Sequence, residues 1–208
     1  MADFLPRLYP IVNVTGHGAA EITRARDLAA ALAAGGASLV QIRAKMLAAG
    51  PLTELAATLV ESLARSSCRL VINDRADVAA AVGAAGVHLG DDDLDPRDAR
   101  ALLGRGAIIG YSTHSPEEAA AADRLPVDYL GFGPVFESPS KAGVRGARGL
   151  DALAAACSRT SLPVVAIGGV TLDTAIDALS AGAASVAVIR DLELAADAAA
   201  VTRRYLSL

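Results

Sequence analysis

Residues 163–189 read PVVAIGGVTLDTAIDALSAGAASVAVI. A short apolar run (163–167) leads through two glycines into a helical run (172–180), and a second apolar run (185–189) follows. The apolar runs have no polar face, which is typical of parallel strands that are buried on both sides. This stretch therefore predicts a strand–helix–strand unit with parallel strands and a right-handed crossover.

The same alternation continues through the chain and predicts a (β/α)8 TIM barrel, formed as a single domain by residues 1–208. Strands are predicted at Leu8–Asn13, Ser38–Arg43, Arg69–Asn73, Gly86–Leu89, Ala107–Ser112, Tyr129–Gly133, Pro163–Ile167 and Ser185–Ile189. Helices are predicted near residues 20–34, 51–66, 76–83, 95–103, 115–123, 149–157, 172–180 and 194–206. An open doubly wound sheet is the alternative, but eight regular units without a dinucleotide fingerprint argue against it.

The composition restricts the class of protein. Hydrophobic residues make up 53% and aromatic residues 3%, so we expect a largely aliphatic core. A net charge of -4 without a basic stripe argues against nucleic-acid binding. Neither a signal peptide nor a membrane span is expected. The isolated Cys68 and Cys157 indicate reduced thiols, so we expect a cytoplasmic protein; whether it forms a homo-oligomer is left open.

Cationic side chains follow the second predicted strand, at the barrel face where active sites lie. Gln41 and Arg43 share one side of this strand, and Lys45 follows just beyond. Arg can grip a phosphate through two donors and Lys acts as a point charge, so the pattern indicates an anion clamp. A solvated strand end is the alternative.

Carboxylates follow the next two strands. Asp74 comes after the third strand, and Asp91–Asp93 come after the fourth. Carboxylates from neighbouring strand ends, beside a cationic clamp, suggest Mg²⁺ bridging a pyrophosphate, because Mg²⁺ takes one or two protein carboxylates and leaves its other positions to phosphate and water. For two of the three aspartates in 91–93, an ordinary acidic helix start is the better interpretation.

The later strand ends carry further polar and glycine-rich segments. His114 follows the fifth strand, and it is either an acid–base group or a structural partner of the backbone. The long polar loop 134–148 is expected to be a mobile flap that covers phosphate, although an ordinary surface loop is the alternative. Gly168-Gly169 and Ile189-Arg190 predict a backbone phosphate site after the seventh and eighth strands. Two anion sites at one barrel mouth suggest two phosphorylated substrates.

Several motifs, in order, resemble those of the thiamine-phosphate synthase family over nearly the full length of the chain. They are Gln-x-Arg-x-Lys (41–45), Asn-Asp-Arg (73–75), Gly-Val-His-Leu-Gly-x-x-Asp (86–93), Gly-x-Ser-x-His (110–114), Asp-Tyr-x-Gly-x-Gly-Pro-Val-Phe (128–136), the flap lysine Lys141, and Ala-Ile-Gly-Gly (166–169). The resemblance implies condensation of hydroxymethylpyrimidine pyrophosphate with a thiazole phosphate. In that reaction pyrophosphate leaves first, assisted by Mg²⁺, and the thiazole nitrogen attacks the resulting pyrimidine-methyl cation.

The resemblance also implies a role for each matching residue. Arg43, Lys45, Asn73 and Lys141 would hold the pyrophosphate; Asp74 and Asp93 would bind Mg²⁺; Gln41, His88 and Ser112 would line the pyrimidine; Ser138 and Ser140 match flap positions where the family usually has Thr; Gly169 and the backbone of Ile189 and Arg190 would receive the thiazole phosphate. Among them, Ser112, Lys141 and Arg43 are the predicted catalytic residues.

Two positions depart from the family pattern, and other functions compete. Asp91 stands where the family usually has Gln, and Arg190 where it often has Ser. A thiazole tautomerase on the same barrel would use His114 as its acid–base group, but it would not need the charged pair Asp74 and Asp93. A non-catalytic phosphate-binding regulatory barrel is another alternative. A sugar-phosphate isomerase or epimerase fits poorly, because it needs paired acid–base groups or several metal-binding histidines.

Overall fold

The computed structural model describes residues 5–137 and 146–208, and it confirms the predicted barrel. Eight strands close into one barrel in sequence order, and each strand pairs in parallel with its neighbours. The strands are β1 (Leu8–Asn13), β2 (Leu39–Arg43), β3 (Arg69–Asn73), β4 (Gly86–Leu89), β5 (Ile108–Thr113), β6 (Tyr129–Phe132), β7 (Val164–Ile167) and β8 (Ser185–Val188). The predicted strand boundaries are therefore correct to within about one residue.

Helices cover the outside of the barrel. They are α1 (Ala19–Ala34), α2 (Ala49–Ala64), α3 (Ala76–Val82), α4 (Pro96–Leu103), α5 (Pro116–Ala122), α6 (Gly149–Arg159), α7 (Leu172–Ser180), α8 (Arg190–Glu193) and α9 (Ala198–Leu206). Within the two described ranges, no helix is both long and apolar enough to cross a membrane.

The last predicted helix, 194–206, is wrong at its start. The chain forms a short helix, α8, directly after β8, and then leaves Leu194 72% exposed before α9 begins. Asp197 caps α9, because its Oδ1 accepts a hydrogen bond from the backbone N–H of Ala200 at 2.9 Å. An alanine-rich pattern conceals such an interruption, since alanine favours helix on both sides of it.

The core consists of two layers. One lies between the strands and the helices and is mostly aliphatic, as the composition predicts. The other fills the barrel interior with side chains of alternate strand residues: Tyr9, Ile11, Leu39, Val71, Ile108, Tyr129, Val165 and Ala187. The two tyrosines are the exception to an aliphatic interior, and both are fully buried.

Candidate active site

Five of the predicted site residues lie on the strand positions that face the barrel interior. Gln41 and Arg43 follow the interior residue Leu39 at spacings of two, as Asn73 follows Val71 and Ser112 follows Ile108. The strand register aligns them across the barrel, pairing Asn13 with Arg43 and Asn73 with His88. These side chains therefore converge on the C-terminal mouth of the barrel.

Below the mouth, polar side chains from five strands form one continuous series of hydrogen bonds, here called the interior network. Gln41 Nε2 donates to the Tyr9 hydroxyl at 3.1 Å, and the hydroxyls of Tyr9 and Tyr129 lie 2.8 Å apart. The Tyr129 hydroxyl lies 2.9 Å from His88 Nδ1, and His88 Nε2 lies 2.9 Å from Ser112 Oγ. The residues Gln41, His88 and Ser112, which the sequence singles out separately, are thus one connected unit.

Two glycines make room for this network. A Cβ atom on Gly110 would lie 2.3 Å from the Tyr129 hydroxyl and 2.4 Å from His88 Nδ1. A Cβ atom on Gly131 would lie 3.1 Å from His88 Cε1. Glycine is therefore required on β5, and favoured on β6, to let the two rings meet inside the barrel.

Burial determines the charge state of the network. It lowers the pKa of His88 to about 4, although the charge of Asp93 acts in the opposite direction. Burial also raises the pKa of Tyr9 to about 12 and that of Tyr129 well above 10. The network is therefore uncharged at neutral pH and acts through hydrogen bonding.

Two carboxylates face each other beside a lysine at the ends of β3 and β4. Asp74 has a left-handed backbone (φ 65°), and its N–H donates to the carbonyl of His88 at 2.8 Å. Lys45 Nζ lies 3.1 Å from Asp74 Oδ2. Burial raises the pKa of Asp93, and the negative charge of Asp74 raises it further, against a hydrogen bond from the Gly90 N–H. Two carboxylates held together against their repulsion are suited to a cation.

The carboxylate pair meets the requirement of a magnesium site, in which two carboxylates suffice. No group of three or more His, Cys, Asp or Glu residues in the described part of the chain could hold a metal. Of the three aspartates 91–93, Asp93 is the one whose pKa responds to Asp74. Asp91, the departure from the family pattern, instead accepts a hydrogen bond from the Tyr111 hydroxyl at 2.7 Å.

An unpaired amide and an oriented guanidinium lie next to the carboxylates. Arg43 Nη1 donates to Asn13 Oδ1 at 2.8 Å, an interaction that the sequence did not indicate. Within residues 5–137 and 146–208, Asn73 Nδ2 is a buried side-chain donor without a hydrogen-bond partner. A buried donor of this kind carries an energetic cost unless a ligand completes it.

His114 has a structural partner. Its Nδ1 lies 2.8 Å from the carbonyl oxygen of Gly133, and its backbone N–H donates to Glu118 Oε2 at 2.6 Å. Because a carbonyl can only accept, Nδ1 carries the proton. The backbone-partner interpretation of this histidine therefore agrees with the geometry.

The predicted flap lies only partly within the described residues. Ser138, Ser140 and Lys141 fall in the segment 138–145, outside them, so their roles and the motion of the flap stay predictions. The two ends of the loop are held together, because the Arg148 N–H donates to the Pro134 carbonyl at 2.7 Å. The Phe136 N–H donates to the Gly168 carbonyl at 2.9 Å, which attaches this stem to the end of β7.

The glycines after β7 serve this stem. Gly168 and Gly169 have φ angles of 94° and 67°. A Cβ atom on Gly169 would lie 2.5 Å from the Glu137 carbonyl oxygen and 2.7 Å from that of Phe136. The sequence suggested backbone contact with an anion as the reason for these glycines, and the close approach of the stem is a second reason.

The end of β8 lies beside the end of β7. Ile189 precedes α8, and Arg190 is the first residue of that helix. Asp191 in α8 accepts hydrogen bonds from the Leu172 N–H at 3.2 Å and the Tyr205 hydroxyl at 2.6 Å. These bonds connect α8 to α7 and α9, and they fix the backbone of Ile189 and Arg190 relative to the glycine pair.

Comparison with known proteins identifies the family. The family model described as thiamine monophosphate synthase matches residues 8–192. The chain belongs to this family. It is 43% identical to a thiamine-phosphate synthase of Koribacter versatilis, over 90% of the chain and 89% of that relative. It is 44% identical to a thiamine-phosphate synthase of Anaeromyxobacter dehalogenans, over 95% of the chain and 85% of that relative.

A solved structure supports the same family membership. The thiamine phosphate pyrophosphorylase from Pyrococcus furiosus superposes with a TM-score of 0.84 at 30% sequence identity, covering 99% of this chain and 96% of that one. A 3-hexulose-6-phosphate synthase superposes with a TM-score of 0.70 at 16% identity, a likeness of fold alone. The resemblance found in the motifs is thus confirmed at the level of family and barrel.

Proposed function

We propose that this chain condenses 4-amino-2-methyl-5-hydroxymethylpyrimidine pyrophosphate with 4-methyl-5-(2-phosphoethyl)thiazole to give thiamine phosphate and pyrophosphate. The observation that carries the proposal is the unpartnered Asn73 Nδ2, which lies on the strand next to Arg43. Family membership supports the reaction. In this reaction the bond between the pyrimidine methylene and the pyrophosphate oxygen breaks, and a bond from the thiazole nitrogen to the same carbon forms.

In this proposal the leaving pyrophosphate lies at the ends of β2 to β4. Arg43, held by Asn13, and Lys45, beside Asp74, face it with positive charge. Asn73 Nδ2 donates its free hydrogen bond to a phosphate oxygen. Charge stabilisation by such pre-positioned groups lowers the barrier to departure of an anion without a protein nucleophile.

Asp74 and Asp93 are the residues that would hold Mg²⁺, which when bound would neutralise negative charge on the pyrophosphate. Lys45 already partners Asp74 at 3.1 Å, so its ammonium group shares the task of balancing the carboxylate pair. On the same proposal Lys141, Ser138 and Ser140 contact the pyrophosphate from the loop.

The thiazole phosphate is assigned to the opposite side of the mouth. In the closed strand order, β7 and β8 are four strands away from β3 and β4. Backbone N–H groups of Gly169, Ile189 and Arg190 are the proposed donors. The pyrimidine lies between the two sites, above Gln41, His88 and Ser112, so the two reacting atoms meet at the centre of the barrel mouth.

The proposed setting is the cytoplasm. Both cysteines are free thiols, Cys68 buried and Cys157 partly buried, as is common in a reducing compartment.

The direct test is to incubate the purified protein with both substrates, with Mg²⁺ or with excess EDTA, and to follow thiamine phosphate by chromatography and pyrophosphate by a coupled assay. We expect equal amounts of both products, and only with the metal. A folded protein that forms neither product would contradict the proposal. Isomerisation of the thiazole alone would instead indicate a tautomerase.

A further inference from the structure

The interior network has a direction, because each of its members has a limited set of donors. A phenol hydroxyl has one proton to donate, and a neutral imidazole has one N–H and one acceptor nitrogen. The network runs from Gln41 on β2 through Tyr9 and Tyr129 to His88 and Ser112. If one end is fixed as a donor, every bond along the series acquires a defined sense.

Gln41 fixes that end. Its Nε2, which can only donate, faces the Tyr9 hydroxyl at 3.1 Å, and the side chain is only 2% exposed. Tyr9 then donates its own proton to Tyr129, and Tyr129 donates to Nδ1 of His88. Because Nδ1 accepts, the His88 proton lies on Nε2 and points to Ser112 Oγ at 2.9 Å.

We propose that Tyr9 and Tyr129 are positioning residues that hold His88 in the Nε2–H tautomer and so make Ser112 a hydrogen-bond donor to the bound pyrimidine pyrophosphate. Ser112 accepts from His88, so its hydroxyl proton is available to the substrate. The identity of that substrate rests on the proposed function, whereas the tautomer does not. The ligand recognised here presents a hydrogen-bond acceptor to Ser112.

The packing holds the network in one arrangement. The rings of Tyr9 and Tyr129 meet edge to face, with centroids 5.6 Å apart, and the ring of His88 stacks on Tyr129 at 5.5 Å. Gly110 provides the space, since a Cβ atom there would lie 2.1 Å from Tyr129 Cζ. With the three rings unable to turn, the positions of protons are the remaining freedom.

The opposite sense makes a different prediction. It requires the amide oxygen of Gln41 to face Tyr9, and it places the His88 proton on Nδ1. Ser112 would then donate to His88 and could only accept from a substrate. The two senses therefore differ at one measurable atom.

The test is nitrogen-15 NMR of the histidine rings in the full-length protein at pH 7, without substrate. The chain has three histidines, so His88 is assigned by comparison with His17→Gln and His114→Asn variants. We expect His88 to be neutral and protonated on Nε2. A proton on Nδ1 would overturn the proposal, and this measurement needs no variant of the network.

Variants then connect the tautomer to substrate binding. Tyr129→Phe removes the donor to Nδ1, so we expect a mixture of tautomers and a roughly tenfold lower kcat/KM for the pyrimidine pyrophosphate, with KM for the thiazole phosphate unchanged. Tyr9→Phe leaves the donor in place and should keep the Nε2–H tautomer. Thr202→Val is the control, because it removes another buried hydroxyl, bonded to the Ala198 carbonyl at 2.7 Å, outside the network.

The outcomes separate the two proposals. If the Nε2–H tautomer is found in a protein that makes no thiamine phosphate, the proposed function fails and the network stands. If the protein is an active synthase with His88 protonated on Nδ1, the network proposal fails alone. Unchanged tautomer and kinetics in Tyr129→Phe would also overturn the positioning role.

Discussion

Lys45 Nζ and Asp74 Oδ2 lie 3.1 Å apart at the barrel mouth, and both side chains keep part of their surface open to solvent. The lysine thus partners a carboxylate that is also pressed against Asp93. Such an arrangement gives Asp74 a function in charge balance and only a small one in stability, because exposed ion pairs contribute about 0–1 kcal/mol.

Asp74→Asn should therefore reduce activity without unfolding the protein. Asn tolerates the left-handed backbone at this position (φ 65°), so the loop keeps its shape. We expect turnover to fall at least ~100-fold and the Mg²⁺ requirement to rise, with the free energy of unfolding changed by less than ~1 kcal/mol. Steady-state kinetics over a Mg²⁺ titration and urea denaturation measure both. Asp77→Asn, which removes a carboxylate paired with Arg75 on α3, is the control and should leave turnover unchanged.

Asn73→Leu should make the unliganded protein more stable and less active. The substitution removes a buried amide N–H group that has no partner in the described structure, and we expect the free energy of unfolding to rise by ~1 kcal/mol. Loss of the donor should raise KM for the pyrimidine pyrophosphate about tenfold.

Asn13→Leu is the matched control, since the amide oxygen of Asn13 accepts from Arg43 Nη1. Here the substitution should lower stability. If Asn73→Leu also destabilises the protein, its amide must have a partner in the free state, and the interpretation of Asn73 is wrong.

Gly169→Ala should cost more stability than Gly83→Ala. The two glycines have nearly equal φ angles, 67° and 66°, so both variants carry the same backbone strain, about 1–2 kcal/mol. A Cβ atom on Gly83 meets no atom within 4 Å, whereas one on Gly169 meets two carbonyl oxygens of the loop stem. We expect an additional loss of more than ~1 kcal/mol for Gly169→Ala, by urea denaturation, and a raised KM for the thiazole phosphate. Equal losses would show that the stem moves aside freely.

Glu21→Gln should reduce stability in a way that depends on pH. Hydrogen bonds from Arg24, and then from the Thr15 N–H, lower the pKa of Glu21 from 4.5 to about 2. A lowered pKa in the folded state stabilises the protein above the unfolded pKa, and that stabilisation is lost as the pH falls towards 2.

The difference in the free energy of unfolding between wild type and Glu21→Gln should therefore be constant above pH ~5, no more than ~1 kcal/mol, and disappear between pH 4.5 and 2. Thermal unfolding across this pH range measures the difference. Glu61→Gln, at an exposed position on α2, is the control. A difference that persists at pH 2 would exclude the ion pair as its source.

The fold and the general position of the site could be predicted from sequence because their signals are local. The unit 163–189 shows strand, glycine loop, helix and strand in direct succession, and the structure reproduces it as β7, α7 and β8. The same reading failed at α8, where the interruption at Asp197 depends on a single capping side chain within an alanine-rich run.

The sequence by itself determined which side chains reach the barrel mouth, since alternation along each strand decides the inward residues before any contact is known. Tertiary structure alone decided what those side chains bond to. Tyr9 and Tyr129 are 120 residues apart, and closure of the barrel brings their hydroxyls to 2.8 Å. Likewise Asn13 finds Arg43 while Asn73 finds no partner within the described residues, although both end interior-facing strands. The physical reason is that hydrogen bonds act over about 3 Å, a distance that strand register and barrel closure set and that no local pattern of residues contains.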